Sequence, residues 1–316
     1  MQCGSAQESC KKCYCRISCF HRENFVFLHR KHNKKEGKFI VSTDYRFKNS
    51  DWALILGASS GFGGATAVEL ASRGMNICGV HFDRAATIPN AEKVKADCEA
   101  FGVKTLFFNV NATDAEKRKE IVDTLSTHMS SPDAQVKVLL HSLAFGSLKP
   151  FVSKDPKNQL TQAQIEMTMD VMANALVYWT QATFNKGLLK KGSRIYTMTS
   201  SGGHSQFPDY GAVSAAKAAS EAYIRQLTLE LGQYGITCNA IMAGVTETAA
   251  LAKIPGAKKM IDLAKSKNPA MKLTTPEAVA KAISLLSHED AFFISGNTIG
   301  VDGGEDIVEF VGDVEI

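Results

Sequence analysis

From Asp51 onward, short apolar runs alternate with longer amphipathic ones. Ala53-Leu-Ile-Leu56 is an unbroken apolar run, the pattern of a strand covered on both faces. Residues 65–73 read as a helix closed by Gly74, and 76–82 as a second strand. The alternation continues through helix 90–101, strand 104–110, helix 114–128, strand 136–141, helix 160–184 and strand 194–199. A helix from Pro208 to about Gln233, a strand at 237–241, a helix at 276–286 and a last strand and turn within 295–304 complete the series. Successive β-α units joined by right-handed crossovers predict an α/β fold, a doubly wound parallel sheet whose strand C-terminal ends share one edge. The segment 243–272, rich in Ala, Lys and Met, is expected to be a helical insertion that covers a substrate. A merely peripheral pair of helices is the alternative.

Composition adds an appendage to this picture. Of the net charge of +4, residues 1–50 carry +7 (11 Lys or Arg against 4 Asp or Glu), so the remainder carries −3. A basic, Cys-rich extension at 1–50, expected to be disordered, thus precedes a single domain at 51–316. A mildly acidic body argues against a nucleic-acid partner. No apolar run approaches the roughly 20 residues that span a bilayer, so no membrane segment is expected. Cys10, Cys13, Cys15, Cys19 and His21 can be read as zinc ligands, but their spacing matches no defined finger and a leader without metal is the expectation. Cys78, Cys98 and Cys238 sit among apolar neighbours as core thiols do, which points to a reducing, cytoplasmic setting.

Chemistry concentrates where the strands end. Gly57-Ala-Ser59-Ser60-Gly61-Phe62-Gly63-Gly64 follows the first strand and opens a helix. In that context, glycines let backbone N–H groups approach a dinucleotide pyrophosphate, whereas alone they are a tight turn. A carboxylate ending the second strand would accept from a ribose 2′-hydroxyl and favour NAD. Here His81 holds that place and Arg84 is at hand for a 2′-phosphate; NADPH is the expected cofactor, with Asp83 leaving NADH possible. Asn109 and Val110, ending the third strand, are placed beside the adenine, and His141 is read as a wall residue. Ser142, Gly244 and Thr246 are further cofactor candidates on the same edge. Ala144, Phe145, Ala249, Leu251 and Ile254 are candidates for the substrate wall.

The segment Ser200 to Lys217 carries a hydroxyl, a phenol and an ammonium. Tyr210 and Lys217, seven apart, would lie about 700° round a helix and roughly 10 Å along it, on one side. A phenol near a cation is expected to have a lowered pKa and to donate to a developing oxyanion. The same pair in isolation would read as a helix-face Tyr with a solvated Lys; the weight comes from what lies upstream.

From Asp51 onward the chain resembles the short-chain dehydrogenases/reductases, with their Rossmann-type sheet. The likeness rests on Gly57-x3-Gly61-x-Gly63, on Ser200 seventeen residues before Lys217, on Asn239-Ala-Ile-Met-Ala-Gly244 and on Val301-Asp-Gly-Gly304. That family commonly places Tyr four residues before Lys, where this chain has Val213. Tyr-x6-Lys resembles the divergent enoyl-acyl-carrier-protein reductase branch, as do His141-Ser-Leu-Ala144 and Ala243-Gly244. The glycine loop is that of ordinary reductases, Ser200 stands where many enoyl reductases have a second Tyr, and the family's Asn falls at Met172. The resemblance implies that Tyr210 stabilises an enolate oxygen while Lys217 holds the nicotinamide ribose. It further implies that Ser200 orients the substrate and that Thr248 meets the carboxamide or pyrophosphate end. The implied activity is NADPH-dependent reduction of an enoyl thioester, on acyl carrier protein or coenzyme A, by a homo-oligomer (dimer or tetramer). A carbonyl reductase and a cofactor-binding scaffold without turnover remain as alternatives.

Overall fold

The computed structural model describes residues 45–248, 251–254 and 256–308. Among these, seven strands form one sheet: β1 (Asp51–Leu56), β2 (Asn76–His81), β3 (Thr105–Asn109), β4 (Gln135–His141), β5 (Arg194–Thr199), β6 (Thr237–Ala243) and β7 (Thr298–Val301). Their order is β3-β2-β1-β4-β5-β6-β7, and every pair is parallel. β1, β2 and β5 are buried throughout, as unbroken apolar strands between two helical layers must be. The outermost β3 and β7 are partly covered.

The helices are α1 (Gly61–Ser72), α2 (Ile88–Glu99), α3 (Ala115–His128), α4 (Gln162–Met169), α5 (Ala175–Asn185), α6 (Gly211–Leu231), α7 (Ala257–Lys267) and α8 (Pro276–Leu286). α1 packs on α2 and α8. Leu125 of α3, Trp179 of α5 and Leu227 of α6 join Leu54, Val136 and Ile195 of the sheet in the main core. Each such buried aliphatic or aromatic side chain contributes about 1.5–3 kcal/mol relative to exposure. Local sequence starts the helices where they start: Asp114 caps α3, Thr161 and Gln164 form a capping box on α4, and Thr275 caps α8 ahead of Pro276.

Most element ends fall within a few residues of the sequence-based expectation, with one informative exception. The helix expected over 160–184 is interrupted by a π-turn, Asp170–Asn174, between α4 and α5. There His141 Nε2–H of β4 donates to the Val171 carbonyl (3.0 Å), and Ser220 Oγ of α6 donates to the Met172 carbonyl (2.9 Å). Side chains from two other elements thus take carbonyls that the widened turn presents. An apolar period cannot reveal this. The sheet order reverses between β1 and β4, which opens a crevice at their C-terminal ends.

Candidate active site

The crevice is a cavity of about 1440 Å³. Its floor is the β1–α1 loop, whose glycines divide between two tasks. A Cβ on Gly57, at φ +90°, would lie 2.4 Å from the Ser142 carbonyl oxygen, and one on Gly63 would lie 2.1 Å from the Gly57 carbonyl oxygen. These two let backbone pack on backbone. Gly61, at φ +54°, has Thr248 Cγ2 as its nearest neighbour at 3.9 Å, and so leaves room above the loop. Ser60, the N-cap of α1, makes no side-chain cap, and no acid stands in the first turn. The leading N–H groups and the positive helix end therefore face the cavity unopposed, and a pyrophosphate fits them. Ser59, Ser60, Gly61 and Phe62 line the cavity; Gly63, expected to touch the cofactor, lies behind the loop instead and fixes its shape. Gly63→Ala should destabilise the fold by about 1–3 kcal/mol through overpacking and weaken dinucleotide binding about tenfold or more by deforming the loop. Thermal unfolding and nicotinamide fluorescence titration measure the two effects.

At the adenosine end, His81 is buried and its Nδ1 sits 2.9 Å from Asp83 Oδ2. Burial alone would raise the Asp83 carboxyl, but hydrogen bonds from Thr87, Ser59 and His81 outweigh it and hold it below the usual carboxylate range. Arg84 is exposed and lines the cavity, as does Val110. Asn109 does not line it: its Oδ1 accepts from the Asp83 N–H (2.9 Å) and its Nδ2 donates to the Asp83 carbonyl (3.0 Å). It serves as a brace for the Asp83 turn rather than as an adenine wall.

The catalytic candidates meet at the ends of β5 and α6. Tyr210 is the N-cap of α6 rather than a helical residue. Asp209 before it is left-handed at φ 61°, a strained conformation of the kind that collects at functional sites. The Phe207 ring meets Tyr210 edge-on, with centroids 5.8 Å apart. Ser200, Tyr210 and Lys217 all line the cavity. Lys217 is buried, and its Nζ donates to the Met198 carbonyl at 2.6 Å. Burial pulls its pKa down to about 8 against the opposing charge of Glu221. The Tyr210 phenol was expected to be depressed by Lys217. It is raised instead, because burial outweighs a hydrogen bond with Ser200. His141, the wall residue, is held neutral, with burial lowering its pKa to about 4, and its Nδ1 accepts from Thr197 Oγ1 (3.0 Å).

Val213, at the commoner Tyr position, is buried in one apolar cluster with Met172. A Cβ on Gly146 would lie 2.9 Å from Met172 Sδ and from Val213 Cγ2. The two departures from the family pattern are thus packed together.

Ser142, Gly244, Thr246 and Thr248 line the cavity as expected. So do Ala144, Phe145, Leu251 and Ile254, while Ala249 lies outside the described residues, as do the cysteines of the N-terminal extension. Sequence reasoning missed Met167, Met198, Phe207, Met260 and Leu263 on the wall. For the last two a signal existed: Met260, Leu263 and Ala264 recur at i, i+3, i+4 on α7. Among the described residues no group of His, Cys, Asp or Glu gathers as metal ligands, and no helix is long and apolar enough to cross a membrane.

A doubly wound sheet with a phosphate-ready glycine loop, and a Tyr, a Ser and a buried Lys at its edge, defines an oxidoreductase. Residues 57–305 match the family described as Enoyl-(Acyl carrier protein) reductase; the chain belongs to this family of short-chain dehydrogenases/reductases. It is 29% identical over 204 residues to an enoyl-[acyl-carrier-protein] reductase [NADH] of Nostoc sp., a match covering 65% of this chain and 76% of that one. It is 28% identical over 253 residues to a 3-oxoacyl-[acyl-carrier-protein] reductase of Synechocystis sp., covering 80% and 95% of the two chains. Among solved structures, an enoyl-[acyl-carrier-protein] reductase (NADH) from Aquifex aeolicus superposes with a TM-score of 0.71 at 22% identity, covering 82% of this chain and 98% of that one.

Proposed function

We propose that the protein reduces the carbon–carbon double bond of an enoyl thioester with NADPH. The observation that carries this reading is the place of the phenol: Tyr210 stands at the N-cap of α6, seven residues before Lys217, while Val213 is buried against Met172. Reduction of a ketone needs hydride and proton on adjacent atoms. Reduction of an enoyl thioester places the hydride on the β-carbon and the growing negative charge on the more distant thioester oxygen, which suits a phenol one turn farther from the lysine.

The bound dinucleotide supplies the hydride. Tyr210, kept protonated by burial, donates to the enolate oxygen, and such donors act strongest where water is excluded. Ser200 holds the phenol in place, and Lys217 meets the ribose. Met167, Phe207, Leu251 and Ile254 offer the acyl chain apolar walls. The acyl group arrives on a carrier protein or on coenzyme A, and the enzyme works as a dimer or tetramer.

NADPH is favoured because Arg84 stands free on the cavity wall while the Asp83 carboxylate is engaged by Thr87, Ser59 and His81. Arg84→Ala should raise KM for NADPH about tenfold, the scale of one lost charge-assisted contact, and leave KM for NADH within about twofold. Equal effects on both would reverse the assignment, which matters because the Nostoc relative carries NADH in its name.

The Synechocystis relative keeps a carbonyl reductase as the second reading. Loss of NADPH absorbance with crotonyl thioesters supports enoyl reduction. Loss with acetoacetyl thioesters alone supports the carbonyl reading, and loss with neither leaves a binding protein.

A further inference from the structure

We propose that Glu221 is a positioning residue for Lys217: its carboxylate, one turn along α6 and anchored by the strand residue next to the one that holds the ammonium, keeps the lysine charged in its buried place. Lys217 and Glu221 are one turn apart on α6. Lys217 Nζ donates to the Met198 carbonyl at 2.6 Å, and the next residue, Thr199, donates from Oγ1 to Glu221 Oε1 at 2.7 Å. The strand end thus sets both charges on one side of the helix. Glu221 also sits under the loop that carries Ser200: a Cβ on Gly203 would lie 2.9 Å from its Oε1.

Among the described residues, the other groups around Lys217 bring no compensating charge. From β4 comes His141, a neutral ring tied to Thr197 and to the Val171 carbonyl. From the N-cap of α6 comes the Tyr210 phenol, and from the β5–α6 loop the Ser200 hydroxyl. The π-turn contributes apolar Met172, and its Asp170 accepts from Asn174 Nδ2 and the Tyr178 hydroxyl. A buried ammonium is costly unless a negative charge stands near it. Burial draws the pKa of Lys217 down to about 8, and Glu221 is the charge that opposes it. Without the carboxylate, Lys217 would lose its proton at still lower pH and be part-neutral under working conditions. No sequence motif marks Glu221, because Thr199 lies 22 residues away along the chain.

The inference rests on Lys217 being the cofactor-side lysine of the reading above, so its test is separated from substrate. In the full-length protein labelled with ¹³C-lysine, the Lys217 Cε resonance, assigned by its loss in Lys217→Arg, reports the titration directly. The parent should show a midpoint near 8. Glu221→Gln keeps an acceptor for Thr199 and nearly the same volume but removes the charge, and should lower the midpoint by about one unit. The alkaline fall of kcat/KM should move with it, a change that lost packing alone would not cause. Thr199→Val keeps the charge but releases its anchor, and should lower the midpoint by less. An unchanged midpoint in Glu221→Gln overturns the proposal; if that variant does not fold, an unchanged midpoint in Thr199→Val does so. A parent that ignores crotonyl thioesters while Glu221→Gln shifts the midpoint would refute the enoyl reading and leave Glu221 in place. Turnover of crotonyl thioesters with no midpoint shift would do the reverse.

Discussion

Tyr210→Phe should lower kcat about 100-fold or more while dinucleotide affinity stays within about twofold of the parent. The substitution removes one oxygen and keeps the ring, so the edge-on contact with Phe207 survives. On the proposed reading what is lost is the donor to the oxygen on which charge develops, an interaction stronger in the transition state than in the ground state, and such losses fall on kcat. Partial burial sharpens the effect, because it raises the phenol's pKa and so holds the donor protonated. Steady-state kinetics with a crotonyl thioester, beside fluorescence titration of the dinucleotide, checks both halves. A variant that loses affinity and turnover together would place Tyr210 on the cofactor instead.

Lys217→Ala should act on both quantities, with kcat/KM falling roughly 10²- to 10³-fold and the dinucleotide binding more weakly. On the proposed reading one ammonium serves both the ribose and the charge balance of the site, so the two losses are linked. The parent should also show an alkaline limb near pH 8, set by Lys217. The direction is fixed by the chemistry: as pH rises through that value the cation is lost, and activity falls with it. In Lys217→Ala that limb should vanish, leaving a low, flatter profile. Stability should change less than activity, since removing a costly buried charge offsets the loss of its bond to the Met198 carbonyl.

The sheet and its helices were legible because buried parallel strands leave unbroken apolar runs and amphipathic helices leave a 3.6-residue period. Gly57 and Gly61 were legible for a related reason: a left-handed backbone admits few other residues. Tyr210 and Lys217 could be paired by counting along a helix, although Tyr210 proved to cap α6 rather than lie in it. Charge alone predicts a lowered phenol pKa; the phenol is raised instead because desolvation is set by the whole wall, which spacing does not describe. The π-turn left no trace in the pattern, since the groups that take its carbonyls, His141 and Ser220, come from other elements of the fold. Asn109 was placed on the adenine side because it ends β3, yet its amide is spent on the backbone of Asp83. Glu221 reads in the sequence as any polar residue on a helix, because its partner Thr199 comes from the end of β5.

The packing of Met172, Val213 and Gly146 bears on how the chain can change over time. A phenol placed at position 213 alone would enter a volume already filled by Met172, and even a methyl added at Gly146 would collide with both neighbours and with Thr168. Any chain in which position 213 gains a ring must therefore open space at Met172 in the same step, because overpacking a filled cluster is itself destabilising. The spacing of Tyr210 is in this sense held by the packing behind it.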